Sequence, residues 1–472
     1  MAEFKLSDKV NPNKVFILKK SEVEKRLDPF YYIPEIKELE KKVRTKDVKP
    51  LRYFVEAVSS GATPKTAEKE KYYSNKENGI PFLRVQNLSP TGILDYADCK
   101  YINEETHNGY LKRSQVKGGD LLVKITGVGR MAVASVAPDG FVGNTNQHLV
   151  VIKTVSKEIS TILASYLNSD IGEKLASRRA TGGTRPALDY PALLSIPILL
   201  DERILEITKK AVEEKNKKEN EAKKILSSID NYLLGELGIK LPENDNSLEN
   251  RIFTTSITKL SGGRFDPDFT SKIDYLINLK WNFPTEKLND LLLTSPQYGA
   301  NETACNKRNE DDIRYIRITD IDDLGNLKDI SWKTAENTEE KYLLDKNDIL
   351  FARSGSVGRC YIHKKVDLPA IFAGYLIRFK LNSEKINPDY LFYYCHSSIY
   401  KFWVSAIERP AVQSNINSEE FKSLVVPVPT LEKQSEIANQ ITDIRNQAKQ
   451  LENDAKQIMI DAKLEVEQII LG

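Results

Sequence analysis

The chain has 472 residues, of which 40% are hydrophobic and 29% charged, and Lys+Arg 69 against Asp+Glu 67 leaves a formal net charge of +2. That length exceeds one ordinary core and implies two to four domains of a soluble, globular type. The near balance of charge neither demands nor excludes a nucleic-acid partner, because local basic faces can be offset by acidic helices elsewhere.

No apolar run approaches the ~18 residues of a membrane span. The opening MAEFKLSDKVNPNK lacks the apolar core of a signal peptide. Cys99, Cys305, Cys360 and Cys395 are scattered and form no C-x-x-C pair, so reduced thiols in a cytoplasmic protein are expected.

Taken in chain order, the first landmark is RLDPF at 26–30. A mixed region follows, with β-type runs at Leu121–Ile125 and Leu149–Ile152 bounded by Gly, Asn or Asp. Its loops read SSGATPK (59–65), RVQN (84–87), TGVGR (126–130), NTNQH (144–148) and SRRATGGTR (177–185). These residue types suit DNA. Arginine grips guanine O6/N7 or a phosphate, Asn and Gln pair with adenine N6/N7, and Gly and Ser let backbone N–H groups approach phosphate. The loops nominate Thr63, Lys65, Arg84, Gln86, Asn87, Arg130, Asn144, Asn146, Arg178, Arg179, Thr184 and Arg185.

A long helix is predicted next, from Glu202 to about Leu234, starting after Asp201 and stopping near Gly235 and Gly238. Ile204, Ala211, Ala222, Ile225, Ile229 and Tyr232 mark its seam. Lys215 and Lys218 interrupt that seam, and we expect them to lie along a partner with their heads in water.

The landmarks then return in the same order. RFDPD at 264–268 answers RLDPF, and RYIRITDI (314–321) answers PFLRVQNL (81–88), with Arg84 and Arg317 lying 233 residues apart. DILFARSGSVGR (348–359) answers GDLLVKITGVGR, with Gly129 and Gly358 separated by 229. SLVVPVPTLEKQSEI (423–437) answers LLSIPILLDERILEI (193–207), with Pro197 matched to Pro427 at an offset of 230. A nearly constant offset of this size is far longer than a solenoid period, and it describes a tandem duplication of whole domains.

Strands are predicted at Ile349–Ala352 and Tyr375–Phe379. The second set of loops comprises SPQYGAN (295–301), RITD (317–320), RSGSVGR (353–359) and ERPAVQSN (408–415). They nominate Gln297, Tyr298, Asn301, Arg317, Thr319, Arg353, Ser354, Ser356, Arg359, Tyr375, Arg409, Gln413, Ser414 and Asn415. A second helix is capped by Thr430, and Ile437, Ile441, Ile444, Ala448, Leu451, Ala455, Ile458 and Ala462 form a heptad seam. Two such helices, one per repeat, are expected to pair. About 33 residues at ~1.5 Å each make a rod on the order of 50 Å, against ~34–36 Å for one turn of B-DNA.

Catalytic constellations are missing from the pattern. His107, His148, His363 and His396 stand apart, and neither Cys360 with His363 nor Cys395 with His396 has partner ligands. The glycine turns match neither GxxxxGK[ST] nor GxGxxG, and FDPDF (265–269) is no methyl-transfer tetrapeptide. Asp311–Asp312 and Asp320 to Asp323 read as an exposed acidic loop.

The pattern resembles the specificity (S) subunits of type I restriction–modification systems over essentially the whole chain. The marks are the 59–88 segment, SPQYGAN…RYIRITDID, DILFARSGSVG and VPVPTLEKQSEIANQI. The first helix departs from the family's usual entry in opening with LLDERILEI, and TGVGR is one residue shorter than its twin.

The resemblance implies an α+β fold with two mixed α/β target recognition domains, at 1–200 and 241–429. A pair of long antiparallel helices, at 201–240 and 430–472, would separate them as a coiled coil in a pseudo-twofold tandem repeat. It also implies that each domain reads half of a bipartite, asymmetric site in double-stranded DNA, while the coiled coil sets the spacer and docks two methyltransferase subunits. S-adenosylmethionine, ATP and Mg2+ would belong to those subunits and to motor-nuclease subunits, leaving this chain non-catalytic, without cofactor or metal. A system whose partner fuses nuclease and methyltransferase, a free-standing methyltransferase, and a tandem protein-binding adaptor are the alternatives.

Overall fold

The computed structural model describes residues 6–7, 9–24, 26–241, 252, 254–257, 266–328, 332–365, 368–408 and 414–472. The chain divides into two compact units: residues 1–220 with 451–472, and residues 221–450.

In the first unit, Ala57–Ser60 pairs antiparallel with Leu149–Lys153, which pairs with Leu121–Lys124, which pairs with Ala134–Val136. The apolar runs in this sheet have a physical reason. Leu121, Val123, Val150 and Ile152 face helices through Leu163, Tyr166 and Leu175. Leu122, Leu149 and Val151 face the opposite way, onto Leu83, Val116 and Phe141. A strand covered on both faces loses the alternation of a half-exposed one and reads as a continuous run.

The second unit repeats this plan. Gln297–Tyr298 pairs with Leu376–Phe379, which pairs with Ile349–Ala352, which pairs with Cys360–Ile362. Ile349, Phe351, Ile377 and Phe379 enter one core, where the Phe351 and Phe421 rings stack at 4.9 Å. Leu350, Ala352 and Leu376 enter another with Ile316 and Phe372.

The smaller pairings match as well. A parallel pair joins Ile80–Leu83 to Val142–Thr145, and its counterpart joins Arg314–Ile316 to Ala370–Phe372. A two-stranded pair closes each unit, Val48–Pro50 with Pro197–Leu199 and Thr285–Lys287 with Val425–Pro427. The duplication read from the sequence is therefore a duplication of topology.

One landmark is corrected. Pro197 stands opposite Pro50 at the end of its strand pair, a place held in the second unit by Val425 opposite Lys287. Pro427 corresponds to Leu199 instead, so the two prolines are not equivalent. The RLDPF echo survives in part. Asp28 accepts from the Tyr31 amide at 3.2 Å and Asp266 from the Phe269 amide at 3.3 Å, both capping a turn that begins with proline, while 264 and 265 lie outside the described residues.

The first long helix spans Glu202–Leu237 and the second Leu431–Leu471. Asp201 accepts from the Arg203 amide at 2.9 Å, and Thr430 Oγ1 accepts from the Lys433 amide at 3.3 Å. Each thereby satisfies an amide that the helix leaves unpaired. The first helix runs through Gly235 and ends at Gly238, whose φ of +67° suits the left-handed cap.

In the first unit Ile204 packs in one core with Val466 and Ile470, while Lys218 reaches Asp454 at 2.9 Å. In the second, Ile229 joins the core holding Ile441, and Glu236 pairs with Lys433 at 2.8 Å. Within each unit one sequence rises as the other falls, so the pairing is antiparallel. Ile437, Ile441, Ala448 and Ala455 are buried; Lys218 lies along the partner helix but with its head on a carboxylate instead of in water, while Lys215 pairs with Glu219 of its own helix at 2.7 Å. Among the described residues no helix is long and apolar enough to cross a membrane.

Candidate nucleic-acid interface

The second unit gathers three of its nominated loops, together with the segment that carries Tyr375, around one cleft of about 510 Å3, lined by Ala300–Glu302, Arg317–Thr319, Ser354–Ser356 and Ala373–Tyr375. Topology brings them together. Strand Arg314–Ile316 delivers Arg317 into a tight turn, and strand Ile349–Ala352 delivers the 353–359 turn beside it. Gly299 lets the backbones meet, since a Cβ there would lie 2.3 Å from the Ala373 oxygen. The first unit uses Gly61 in the same way, since a Cβ there would lie 1.6 Å from the Thr145 oxygen.

Asp320 is fully buried and accepts from the Arg317 amide at 2.9 Å, from Nε at 3.1 Å and from Nη2 at 2.7 Å. This corrects the reading of an exposed acidic loop at Asp320, whereas Asp323 is exposed. Arg317 is in turn held charged by that carboxylate, which raises its pKa.

Gly355 and Gly358 both adopt φ of +79°. At Gly358 a Cβ would also meet Val404 Cγ2 at 2.6 Å, and the Gly358 oxygen accepts from the Tyr400 hydroxyl at 2.7 Å. The turn therefore requires glycine on two counts.

Arg353 lies at the head of this turn, with Nε donating to Asn415 Oδ1 at 3.2 Å and its guanidinium 5.0 Å over the Tyr298 ring. Asn301, Thr319 and Tyr375 are exposed, Tyr375 at 62%, while Ser356 and Ser414 are half-buried and Ser354 is buried. Gln297 is occupied by Arg378 and by the Lys341 oxygen, and Arg359 by Asp323 and the Ile321 oxygen. Arg409 and Gln413 lie outside the described residues.

The first unit clusters a corresponding group of loops. Thr63 meets Gln147 at 2.5 Å, and Thr126 hydrogen-bonds His148. The Gly127 amide donates to the Pro186 oxygen at 3.1 Å, which brings the 181–187 loop, with exposed Thr184 and Arg185, against the 126–130 turn. Lys65 and Gln86 are exposed, and Lys65 pairs only distantly with Glu68, at 3.9 Å. Arg84 is half-buried, and its Nε is enclosed without a partner among the described residues.

Several nominated residues face inward instead. Arg178 and Arg179, 7% and 8% exposed, converge on the buried Glu40 carboxylate. Burial pushes the Glu40 pKa up, but Arg179, Arg44 and Arg178 outweigh it and hold the group down at about 2. Arg130 pairs with Asp170 at 2.7 Å and caps the Asn168 and Ser169 oxygens. Asn144 is fully buried between His107 and the Leu111 oxygen. Asn87 joins the Arg84 amide to the Asp95 oxygen, and Asn146 accepts from the His148 amide. Their bonds hold the loops in place, and of these side chains only that of Arg130 is partly exposed.

One contributor was missed. Lys124, only 5% exposed, donates to the Val128 and Arg130 oxygens at 2.8 and 2.9 Å and braces the glycine turn from beneath. A lysine at the end of an apolar run was the available signal. Among the described residues no group of three or more His, Cys, Asp or Glu side chains is placed to hold a metal ion.

Residues 286–460 match the family described as the Type I restriction modification DNA specificity domain. The chain is 27% identical over 186 residues to the EcoBI specificity subunit of Escherichia coli, covering 37% of this chain and 38% of that one. It is 32% identical over 153 residues to the putative MjaX specificity subunit of Methanocaldococcus jannaschii, covering 29% and 34%. It thus spans about a third of the length of these curated relatives. Among solved structures, an HsdS subunit from Thermoanaerobacter tengcongensis aligns over 90% of this chain and 95% of that one, at 14% identity and a TM-score of 0.34. A chain from a type I R-M system aligns over 90% and 96%, at 14% identity and a TM-score of 0.43.

Proposed function

From the match of residues 286–460 to the type I restriction modification DNA specificity domain, we propose that the whole chain is a sequence-reading subunit with one DNA-facing loop cluster in each unit. The observation that carries this reading is the recurrence of the cluster at the same topological place in two repeats. In each, a glycine turn that follows a sheet strand is gathered with the loop that leaves the first strand, in the second unit around one cleft and in the first through bonds of Thr63 and Thr126 to Gln147 and His148.

In this reading each unit addresses half of an asymmetric duplex site. The long helices, which both run through the two units, set the spacer between the halves and dock two methyltransferase subunits. Adenine methylation and ATP-dependent cleavage then belong to partners that carry S-adenosylmethionine, ATP and Mg2+, and this chain contributes no catalytic group or cofactor. A partner that fuses nuclease and methyltransferase fits the same surfaces.

The test is binding of mixed duplexes by the full chain with its methyltransferase partner as salt is raised. A DNA reader weakens steeply, with a linear fall of log affinity against log salt. An adaptor for proteins alone would show no such duplex binding at any salt. Adding one heptad to the second helix near Ala455 should change the preferred spacing between half-sites.

A further inference from the structure

We infer that Arg353 reads a guanine through its O6 and N7, so that the half-site addressed by the second unit contains a guanine at a fixed position. This rests on the DNA reading above and adds to it the residue, the base and the edge.

The geometry of Arg353 is that of a side chain already held for a planar partner. Its backbone is pinned on both sides, since its amide donates to the Tyr375 oxygen at 3.0 Å and its oxygen accepts from the Ile416 amide at 2.8 Å. Its Nε is committed to Asn415, and one face of the guanidinium covers the Tyr298 ring. That ring is itself tied down, because the Tyr298 hydroxyl donates to Ser418 Oγ at 3.2 Å and accepts from the Ser418 amide at 3.2 Å. The two Nη groups have no partner among the described residues.

Three other arginines of the unit differ on this point. Arg317, Arg359 and Arg378 each spend Nη donors on carboxylate, amide or backbone oxygens. Arg353 is also next to the cleft, since Ser354 lines it.

A fixed plane with two parallel donors matches the two in-plane acceptors of guanine, the commonest specific contact in the major groove. A phosphate also fits such a fork, and the selection experiment below separates that contact, which carries no sequence information, from reading of a base edge. Holding the fork before binding also removes side-chain entropy that binding would otherwise cost. Tyr298 and Asn415 are positioning residues in this account.

Sites are selected from random duplexes with the full chain and its methyltransferase partner, using wild type, Arg353→Lys, Tyr298→Leu and Asn415→Ala. The wild type should return one invariant guanine in one half-site. Replacing that guanine by 7-deazaguanine should weaken binding by roughly tenfold to a hundredfold, an arm that needs no altered protein. Arg353→Lys should abolish the preference at that one position while the other half-site is still selected, and the two positioning variants should relax the same position less.

A uniform loss of affinity across all duplexes for Arg353→Lys would assign the residue to a phosphate and overturn the proposal. So would a second half-site in which no 7-deazaguanine matters. Failure of the wild type to select any sequence would instead remove the DNA reading itself.

Discussion

Where the glycine turn leaves its strand, the first unit has a buried lysine, Lys124, donating to two carbonyls of the turn. The second has Ala352 at that place, and the brace comes from a hydroxyl of Tyr400 and the side chain of Val404 packed under Gly358. A similar exchange occurs one strand over. Arg84 and Arg317 both open a tight turn whose third residue caps the arginine amide, Asn87 in one unit and Asp320 in the other. Only the aspartate also binds the guanidinium. The topology repeats while the polar devices that set each loop do not. Two copies of one scaffold can therefore present different chemistry to two partners.

The largest effect separating the units should come from Glu40, which has three arginine partners in the first unit. Removing it as Glu40→Gln leaves buried guanidinium charge unbalanced and should cost about 3–5 kcal/mol, read by chemical denaturation. Because its pKa is depressed on folding to about 2, its contribution is complete above the unfolded value of ~4.3 and is lost as pH falls from there toward about 2. Acid unfolding of the first unit should accordingly lose that step in the variant.

Next in size is the contrast between the equivalent glycines. Gly129 and Gly358 share a positive φ, 81° and 79°, but a Cβ at Gly129 meets nothing within 4 Å while one at Gly358 strikes Val404. Gly129→Ala should cost only the left-handed backbone penalty of about 1–2 kcal/mol. Gly358→Ala should cost more, and equal losses in thermal unfolding would mean that the second turn is not packed as described.

A smaller change is expected from Asp320→Asn, which keeps the cap but weakens the tether on Arg317. It makes the second turn resemble the first and should cost about 1–2 kcal/mol, while Asn87→Ala in the first unit tests the cap alone.

Much of this scaffold was legible. Strands such as Leu121–Lys124 and Ile349–Ala352 are covered on both faces, so their apolar runs stood out, and the heptad seam of the second helix follows from spacing alone. The resemblance to the specificity subunits also holds, carried by the domain match at 286–460 and the curated relatives. The direction of polar side chains was not legible. Arg178 and Arg179 sit in a Gly- and Arg-rich stretch that reads as exposed, yet their partner Glu40 lies 138 and 139 residues away in sequence. Asn144 occupies a buried strand position opposite Phe82, where composition cannot distinguish a base contact from an internal bond. Pro197 and Pro427 were matched because prolines are conspicuous, whereas strand register is set by backbone pairing that one sequence does not print.

The most direct measurement replaces the 353–359 turn by the turn at 126–130 and selects sites from random duplexes with the methyltransferase partner present. If the two units read separate words, one half of the selected site changes and the other is returned unaltered. Simultaneous change in both halves, or in neither, would contradict the account.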